Sequence, residues 1–323
     1  MAFVEIHEMD FTGKNFSAII SGQPGVGKST LALSAPDALL VDFDKGISRV
    51  KAQHRKTTLQ CSGYGEFLED LQSPEMARFK TIIVDTGGSL ITAMGQWAIA
   101  QNPKNGNGSG GVGMKGYGVI KTEFQRLTNY LKEVANKNVI YIFHTVEERT
   151  KVGRDEVIAQ RLMCDGSAKT LVWQSVDLGA YYYIDGNNRM LGFSPTELYQ
   201  AKGTHGINGL LEVPYLDEKT PNTFLSDMFD KMQENLKAET EIFAEEKAKY
   251  AVAMEKGKET LANSHNADEF NLVADVLKLI DHALTSQTEL RQLYANRAQE
   301  LDLTYNKETK QFEEKIVMES ADE

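Results

Sequence analysis

Eight consecutive residues, Gly22, Gln23, Pro24, Gly25, Val26, Gly27, Lys28 and Ser29, constrain this chain more than any other feature it carries. Glycines stand where backbone must come close to oxygen atoms, a lysine follows that reaches β and γ phosphates, and the next hydroxyl suits Mg2+. An apolar run over residues 16–21 precedes the loop, and a helical pattern from Lys28 to Ser34, with Thr30 in its first turn, follows it. Strand, loop and helix start is the context the pattern requires, and the amides and dipole of a helix start favour an anion. Gly22 to Thr30 therefore read as the cradle of a nucleoside triphosphate, with ATP and Mg2+ as the expected cofactors.

Such a loop belongs to an α/β architecture, and the rest of the chain agrees. Short apolar runs with little polar alternation recur at residues 38–43, 81–84 and 139–143, which predicts strands buried on both faces. Helical patterning lies between them at residues 64–71, 89–99 and 119–135, so a mostly parallel sheet with right-handed crossovers and helices on both faces is expected. Residues 180–184 and 190–193 flank Asp185, Gly186, Asn187 and Asn188, a hairpin turn that predicts an antiparallel edge.

From Thr223 the chain turns helical and charged, with Phe224, Leu225, Met228, Phe229, Met232 and Leu236 on one face. Residues 263–267 break the pattern. Phe270, Val273, Leu277 and Ile280 stripe a further helix, and Ser286 with Glu289 forms a capping box ahead of Leu290, Leu293 and Leu301. The expected organisation is an ATP-binding core over residues 1–222 and an acidic helical region over residues 223–323. The net charge of −11 is lodged almost wholly in the second part, where 12 Lys and Arg face 22 Asp and Glu. The first part holds 23 against 24 and remains open to a polyanion.

No run approaches the roughly 20 apolar residues of a membrane span, and the N-terminus lacks the basic start and apolar centre of a secretory signal. A soluble, intracellular protein with no membrane partner is expected. Cys61 and Cys164 stand far apart without metal-ligand spacing, which fits reduced structural thiols.

Mg2+ needs a carboxylate at the end of another strand, and Asp85, closing Ile82-Ile83-Val84 57 residues after Lys28, fits that role. With Ser29 it makes the candidate metal pair. Hydrolysis also needs a group that orients water. Asp42 and Asp44 end the second strand two residues apart and share a face if the strand continues; Asp44 is the better candidate for the general base, or else the pair closes an Asx turn. His144, ending the fourth strand, reaches a γ-phosphate from an adjacent tip or serves as a hydrogen-bonded core residue.

A phosphate loop at Gly22 to Thr30, an acidic pair within Val41 to Gly46, Asp85 after the third strand and His144-Thr145 after the fourth together resemble the RecA-like ATPase core. More narrowly, residues 14–215 look like the phage-encoded single-domain RecA-like ATPases of the Sak type, implicated in single-strand annealing and recombination. The segment after Phe270 resembles a helical tail of several phage recombination proteins. The resemblance implies an ATPase in the cytoplasm of a phage-infected or prophage-carrying bacterial host. It also implies single-stranded DNA as partner, ATP at the interfaces of a homo-oligomer, and a single-strand-binding or other recombination protein as further company. Two departures stand out: Asp44 occupies a position where such proteins usually place a glutamate, and Lys202 is followed by Gly203 and Thr204 where they often carry a Lys-x-Arg pair reaching the neighbour's phosphates. Lys202 is accordingly either a trans-acting cation or a solvated turn lysine.

In RecA-like proteins the DNA-binding loops follow the third-strand helix and the fourth strand. Residues 102–118 carry seven glycines, too flexible a composition to fold alone, with Lys104, Lys115 and Tyr117 as charge and stacking face. Residues 146–176 make a second long loop with Lys151 and Arg154, offset by neighbouring acids. A third basic stretch, Lys45 to Lys56, reads better as a solvated face than a DNA track. The alternatives to a DNA-stimulated recombination ATPase are a nucleotide-gated DNA-binding or assembly protein with incidental turnover, and a helicase or loader ATPase.

Overall fold

The computed structural model describes residues 13–152, 155–164, 168–216 and 220–315. The chain divides into two compact units, residues 12–235 and a second formed by the residues from Leu236 onward.

In the first unit β1 (Ser17–Gly22), α1 (Lys28–Ala32), β2 (Ala38–Asp42), β3 (Thr58–Gln60), α2 (Tyr64–Asp70), β4 (Thr81–Asp85), α3 (Gly87–Gln101), α4 (Met114–Asn129) and β5 (Asn138–Val152) follow in order. Every residue of β1, β2 and β4 is buried, as an unbroken apolar run between two helical layers demands. β6 (Asp155–Leu162), α5 (Ala168–Gln174), β7 (Leu178–Asp185), β8 (Asn188–Gly192) and β9 (Leu210–Val213) complete it.

The strand order is β3-β2-β4-β5-β1-β7-β8-β9, parallel from β3 to β7 and antiparallel beyond. One strand, β5, lies between the strand that feeds the phosphate loop and the strand that ends in Asp85. The register sets the site: Gly22 pairs with His144, and Asp42 with Asp85, so four candidate residues converge at the carboxyl ends. The expected hairpin is present, with Asp185 opposite Asn188 and Gly186 at φ 59°.

Residues 145–162 depart from the expected long loop. The far half of β5 and β6 form an antiparallel ribbon, in register from Thr145 opposite Leu162 to Val152 opposite Asp155. In that register Val146 pairs with Arg161 and Glu147 with Gln160. Lys151 lies within this ribbon, opposite Glu156. Arg154 lies outside the described residues.

The core unit extends to Asn235, past the expected break after residue 222. The reason is the start of α6 (Phe224–Ala262), whose Leu225, Met228, Phe229 and Met232 are buried. Leu225, Met228 and Phe229 close over Ala18, Ile20, Leu191 and Phe193 of the sheet, and the Phe229 ring lies 5.7 Å from Phe16. Those side chains are part of the sheet's cover and cannot leave with the acidic region.

The second unit holds the remainder of α6, α7 (Ala267–Lys278), α8 (Ser286–Glu300), β10 (Leu303–Asn306) and β11 (Gln311–Glu314). Phe270, Val273, Leu277, Ile280 and Leu290 centre its core, and Phe270 lies 4.3 Å from the Tyr294 ring and 5.1 Å from Phe312. The closing hairpin β10–β11 is an addition to the expected helices. The capping box is rearranged as well: Thr285 is the N-cap of α8, the Ser286 hydroxyl accepts the Ala283 N–H, and Glu289 accepts the Tyr250 and Thr285 hydroxyls.

Candidate functional site

The phosphate loop is held open by its own backbone. Gly25 and Gly27 take φ of 86° and 99°, a region that strains any residue with a Cβ. Helix α1 is only five residues long because the chain turns after Leu33, where the Ser34 hydroxyl donates to Leu31 O and accepts the Leu225 N–H. So short a helix has little dipole, and anion attraction falls to the loop amides and Lys28.

Lys28 is 4% exposed, and its ammonium donates to Gly22 O (2.9 Å) and Gln23 O (2.8 Å) and lies 3.1 Å from His144 Nδ1. Burial lowers its pKa to about 8, with the Asp85 charge acting in the opposite direction. Burial, and then the adjacent Lys28 charge, hold His144 below the ordinary histidine range, so at neutral pH its ring is the uncharged acceptor.

The Ser29 hydroxyl donates to Asp85 Oδ2 at 2.5 Å. Burial raises the Asp85 pKa, the Ser29 hydrogen bond opposes the rise, and the Asp42 and Asp44 charges reinforce it. A hydroxyl and a carboxylate in contact are hard oxygen donors of the type Mg2+ prefers. Among the described residues no three His, Cys, Asp or Glu group together to hold a metal. A cation at Ser29 and Asp85 would therefore complete its shell from phosphate and water, as Mg2+ does.

The two acids after β2 have separate duties. Asp42 is fully buried and accepts the Gly46 and Ile47 N–H groups at 2.9 and 3.0 Å, which makes it the turn carboxylate. Asp44 stands clear of that turn, with the Ser89 hydroxyl 3.3 Å from Oδ1 and Arg49 3.4 Å from Oδ2. It lines a cavity of about 350 Å³ with Thr86, Ser89, His144 and Met163.

A second cavity, of about 340 Å³, opens beside the loop itself. Its wall includes Gly25, Gly27, Thr30, Arg49, His54, Tyr182, Arg189 and Tyr215. Arg189 donates to Val26 O and so clasps the loop from β8. Ser89, Arg49, His54, Tyr182 and Arg189 were not among the residues singled out from sequence as part of the site. Ser89 alone had a local sign, because it follows Thr86 by three residues and donates its N–H to the Thr86 hydroxyl at the start of α3. Tyr182 and Arg189 come from a hairpin more than 150 residues downstream of the loop.

The candidate DNA residues are scattered and differently placed. Residues 102–113 fold despite their glycines: Asn107 Oδ1 accepts from Ser109 N, Ser109 Oγ and Gly111 N, and Asn105 joins Ala98 O to Gly113 N. Lys115 and Tyr117 belong to the first turn of α4, and Tyr117 packs against the core, which leaves Lys104 and Lys115 as the exposed pair. In the basic stretch, Arg55 donates to Val50 O and Ser48 O, and Lys56 to Ala35 O. Lys202 bridges to Gly179, which is level with Ile19 in mid-strand, and its ammonium donates to Val176 O at 2.6 Å. It is therefore not part of its own chain's phosphate site.

A phosphate loop at the end of β1, with Asp85 two strands away across β5, defines a P-loop nucleotide-binding α/β core. The chain belongs to a family described as AAA domain, whose model matches residues 14–205. No curated protein sequence matches it. Among solved structures it is similar to the flagellar accessory protein FlaH from Methanocaldococcus jannaschii, at 12% identity over 56% of this chain and 76% of that one, with a TM-score of 0.31. Among the described residues, no helix is long and apolar enough to cross a membrane.

Proposed function

We propose that this chain is a Mg2+-dependent ATPase of phage recombination that acts on single-stranded DNA, promotes annealing or strand exchange, and places ATP at the interfaces of a homo-oligomer. The observation that carries the ATPase reading is the convergence of Lys28, Ser29, Asp85, Asp44 and His144 at one end of the sheet. Lys28 and the loop amides hold the phosphate oxygens, and Ser29 with Asp85 would hold Mg2+, which when bound neutralises charge developing on the β and γ phosphates. Asp44 accepts a proton from the attacking water, which Ser89 helps to position. His144, neutral beside Lys28, orients the γ-phosphate by hydrogen bonding.

The DNA and recombination part rests on the resemblance over residues 14–215 and on the exposed Lys104 and Lys115. Lys202 serves a neighbouring subunit in this reading, once its ammonium leaves Val176 O. A nucleotide-gated assembly protein with incidental turnover is the second reading, favoured by the short Asp44 side chain and its Arg49 partner. ATP hydrolysis measured with and without single-stranded DNA separates them. At least a several-fold stimulation is expected, with a salt dependence of binding that falls by roughly 0.7 in log-log slope for each contact removed in a Lys104→Ala, Lys115→Ala double variant. Unstimulated, slow hydrolysis alongside ATP-dependent assembly would favour the second reading.

A further inference from the structure

Residues 42–49 form a turn that ends in a cation. Buried Asp42 accepts the Gly46 and Ile47 N–H groups and so fixes the start of the short helical turn Ile47–Arg49. From there the Arg49 guanidinium folds back over Gly46, where a Cβ would lie 3.2 Å from its Nη1, and meets Asp44 Oδ2 at 3.4 Å. The contact is long, the Arg49 side chain is 69% exposed, and among the described residues Asp44 is its one ion-pair partner. The same arginine lines the cavity beside Gly25 and Gly27 of the phosphate loop. Its charge is felt at His144 as well, where it adds to the effects of burial and of Lys28 and acts against that of Asp44. Arg49 thus stands between the acid that would take the water proton and the loop that would hold the triphosphate.

Phosphoryl transfer calls for a cation besides the loop lysine, placed where charge develops on the transferring group. Lys202 spends its ammonium on Val176 O, and Arg189 spends its guanidinium on Val26 O in clasping the loop. Arg49 has five N–H donors and a single long contact to give up. From this placement we infer that Arg49 is the arginine that engages the γ-phosphate of a nucleotide bound to its own chain, exchanging Asp44 for the phosphoryl oxygens. The inference rests on the ATPase reading and adds a catalytic residue to it. As the water oxygen bonds to the γ-phosphorus, the bond from that phosphorus to the β–γ bridging oxygen breaks and its electron pair leaves with ADP. The water proton passes to Asp44, which the departing guanidinium has freed, while the planar fork neutralises the phosphoryl oxygens. In the empty site the ion pair occupies Asp44, so water activation waits for a seated triphosphate.

Calorimetric titration with Mg-ADP and aluminium fluoride, which together mimic the phosphoryl group in transit, tests this apart from turnover. Arg49→Ala should weaken that complex about 100-fold or more while Mg-ADP alone changes by less than about threefold, and turnover should fall in parallel with the analogue. Arg49→Lys should recover little, because an ammonium cannot present the planar fork. Free guanidinium ion, well below denaturing concentrations, should restore part of the turnover lost in Arg49→Ala, which a role in folding would not allow. Mixing Arg49→Ala with Lys28→Ala should restore nothing, because each chain supplies its own arginine. Unchanged or raised turnover in Arg49→Ala would make Arg49 only a cap on Asp44, and recovery in the mixture would assign it to the neighbouring subunit; either result overturns the inference. Failure of the underlying reading has a different signature, in which the wild type shows no ATP turnover that Lys28→Ala removes.

Discussion

The cavity beside Asp44 and the cavity beside Gly25 and Gly27 are nearly equal in volume, about 350 and 340 Å³, yet their side chains are engaged differently. The first is lined by Asp44, Ser89 and His144, which are held in place: Asp44 by Ser89 and by Arg49, and His144 by Lys28. The second is lined by Arg49, Lys51, Arg189 and Asp227 together with Tyr182, Tyr215 and Phe224. Chemistry needs charges placed in advance and poised by their neighbours, whereas binding needs a shaped surface with a few placed polar groups. Gly25 and Gly27 of the loop line the second, and Lys28 reaches the first only through His144.

The substitution that breaks both sides at once should have the largest effect. Lys28→Ala removes the buried ammonium, and ATP affinity should fall by about 100-fold or more, measured by fluorescent-nucleotide titration, because the amides alone face the triphosphate charge. Affinity within threefold of the wild type would remove the loop from the mechanism. Asp85→Asn should instead act on one side only. Steady-state turnover should drop about 100-fold while ATP affinity changes by less than about fivefold, since the lost charge serves the transferring phosphate. A parallel fall in both would make Asp85 a structural partner of Ser29.

A smaller effect comes from pH. The Lys28 pKa is lowered to about 8 by burial, so below that value the ammonium is present and above it the nucleotide must also recruit a proton. Affinity for ATP should be flat from pH 7 to about 8 and then decline by up to tenfold per pH unit, with proton uptake visible in the buffer dependence of the binding enthalpy. A flat profile to pH 10 would show Lys28 still charged there. The mildest change is Asp44→Glu, which lengthens the acid by one methylene. Turnover should rise several-fold if reach limits water activation, with nucleotide affinity unaltered. A fall in turnover with the fold intact would mean that the Ser89 and Arg49 contacts are built for aspartate.

What could be read in the sequence follows a physical division. The loop, Asp85 and His144 lie within or directly after apolar runs, and one parallel register fixes where such runs end relative to one another. Their meeting was therefore legible. So was the hairpin, because Gly186 and Asn187 have few other uses. The lining of the cavity beside Gly25 and Gly27 was not legible. Arg189 and Tyr182 reach the loop only through the pairing of β7 with β1, and His54 sits in a stretch whose charges looked like solvated surface. The ribbon was also missed, because Glu147, Glu148 and Arg149 suggest a loop until their partners across the strand are known. At residues 102–113 composition misled in the opposite sense. One asparagine side chain, Asn107, accepts three hydrogen bonds and organises a segment that glycine content marked as shapeless.

Gly22 adds a consequence for inheritance. A Cβ at this position would lie 2.3 Å from the carbonyl oxygen of Tyr182, in the neighbouring strand. Every missense change of a glycine codon encodes a residue with a Cβ, so each one collides with that carbonyl before any phosphate enters. Gln23 and Pro24, next along the chain, are exposed and meet no such wall, whereas the codon for Gly22 offers no neutral step. A saturation library should recover almost no functional alleles there, including in selections that never ask for nucleotide.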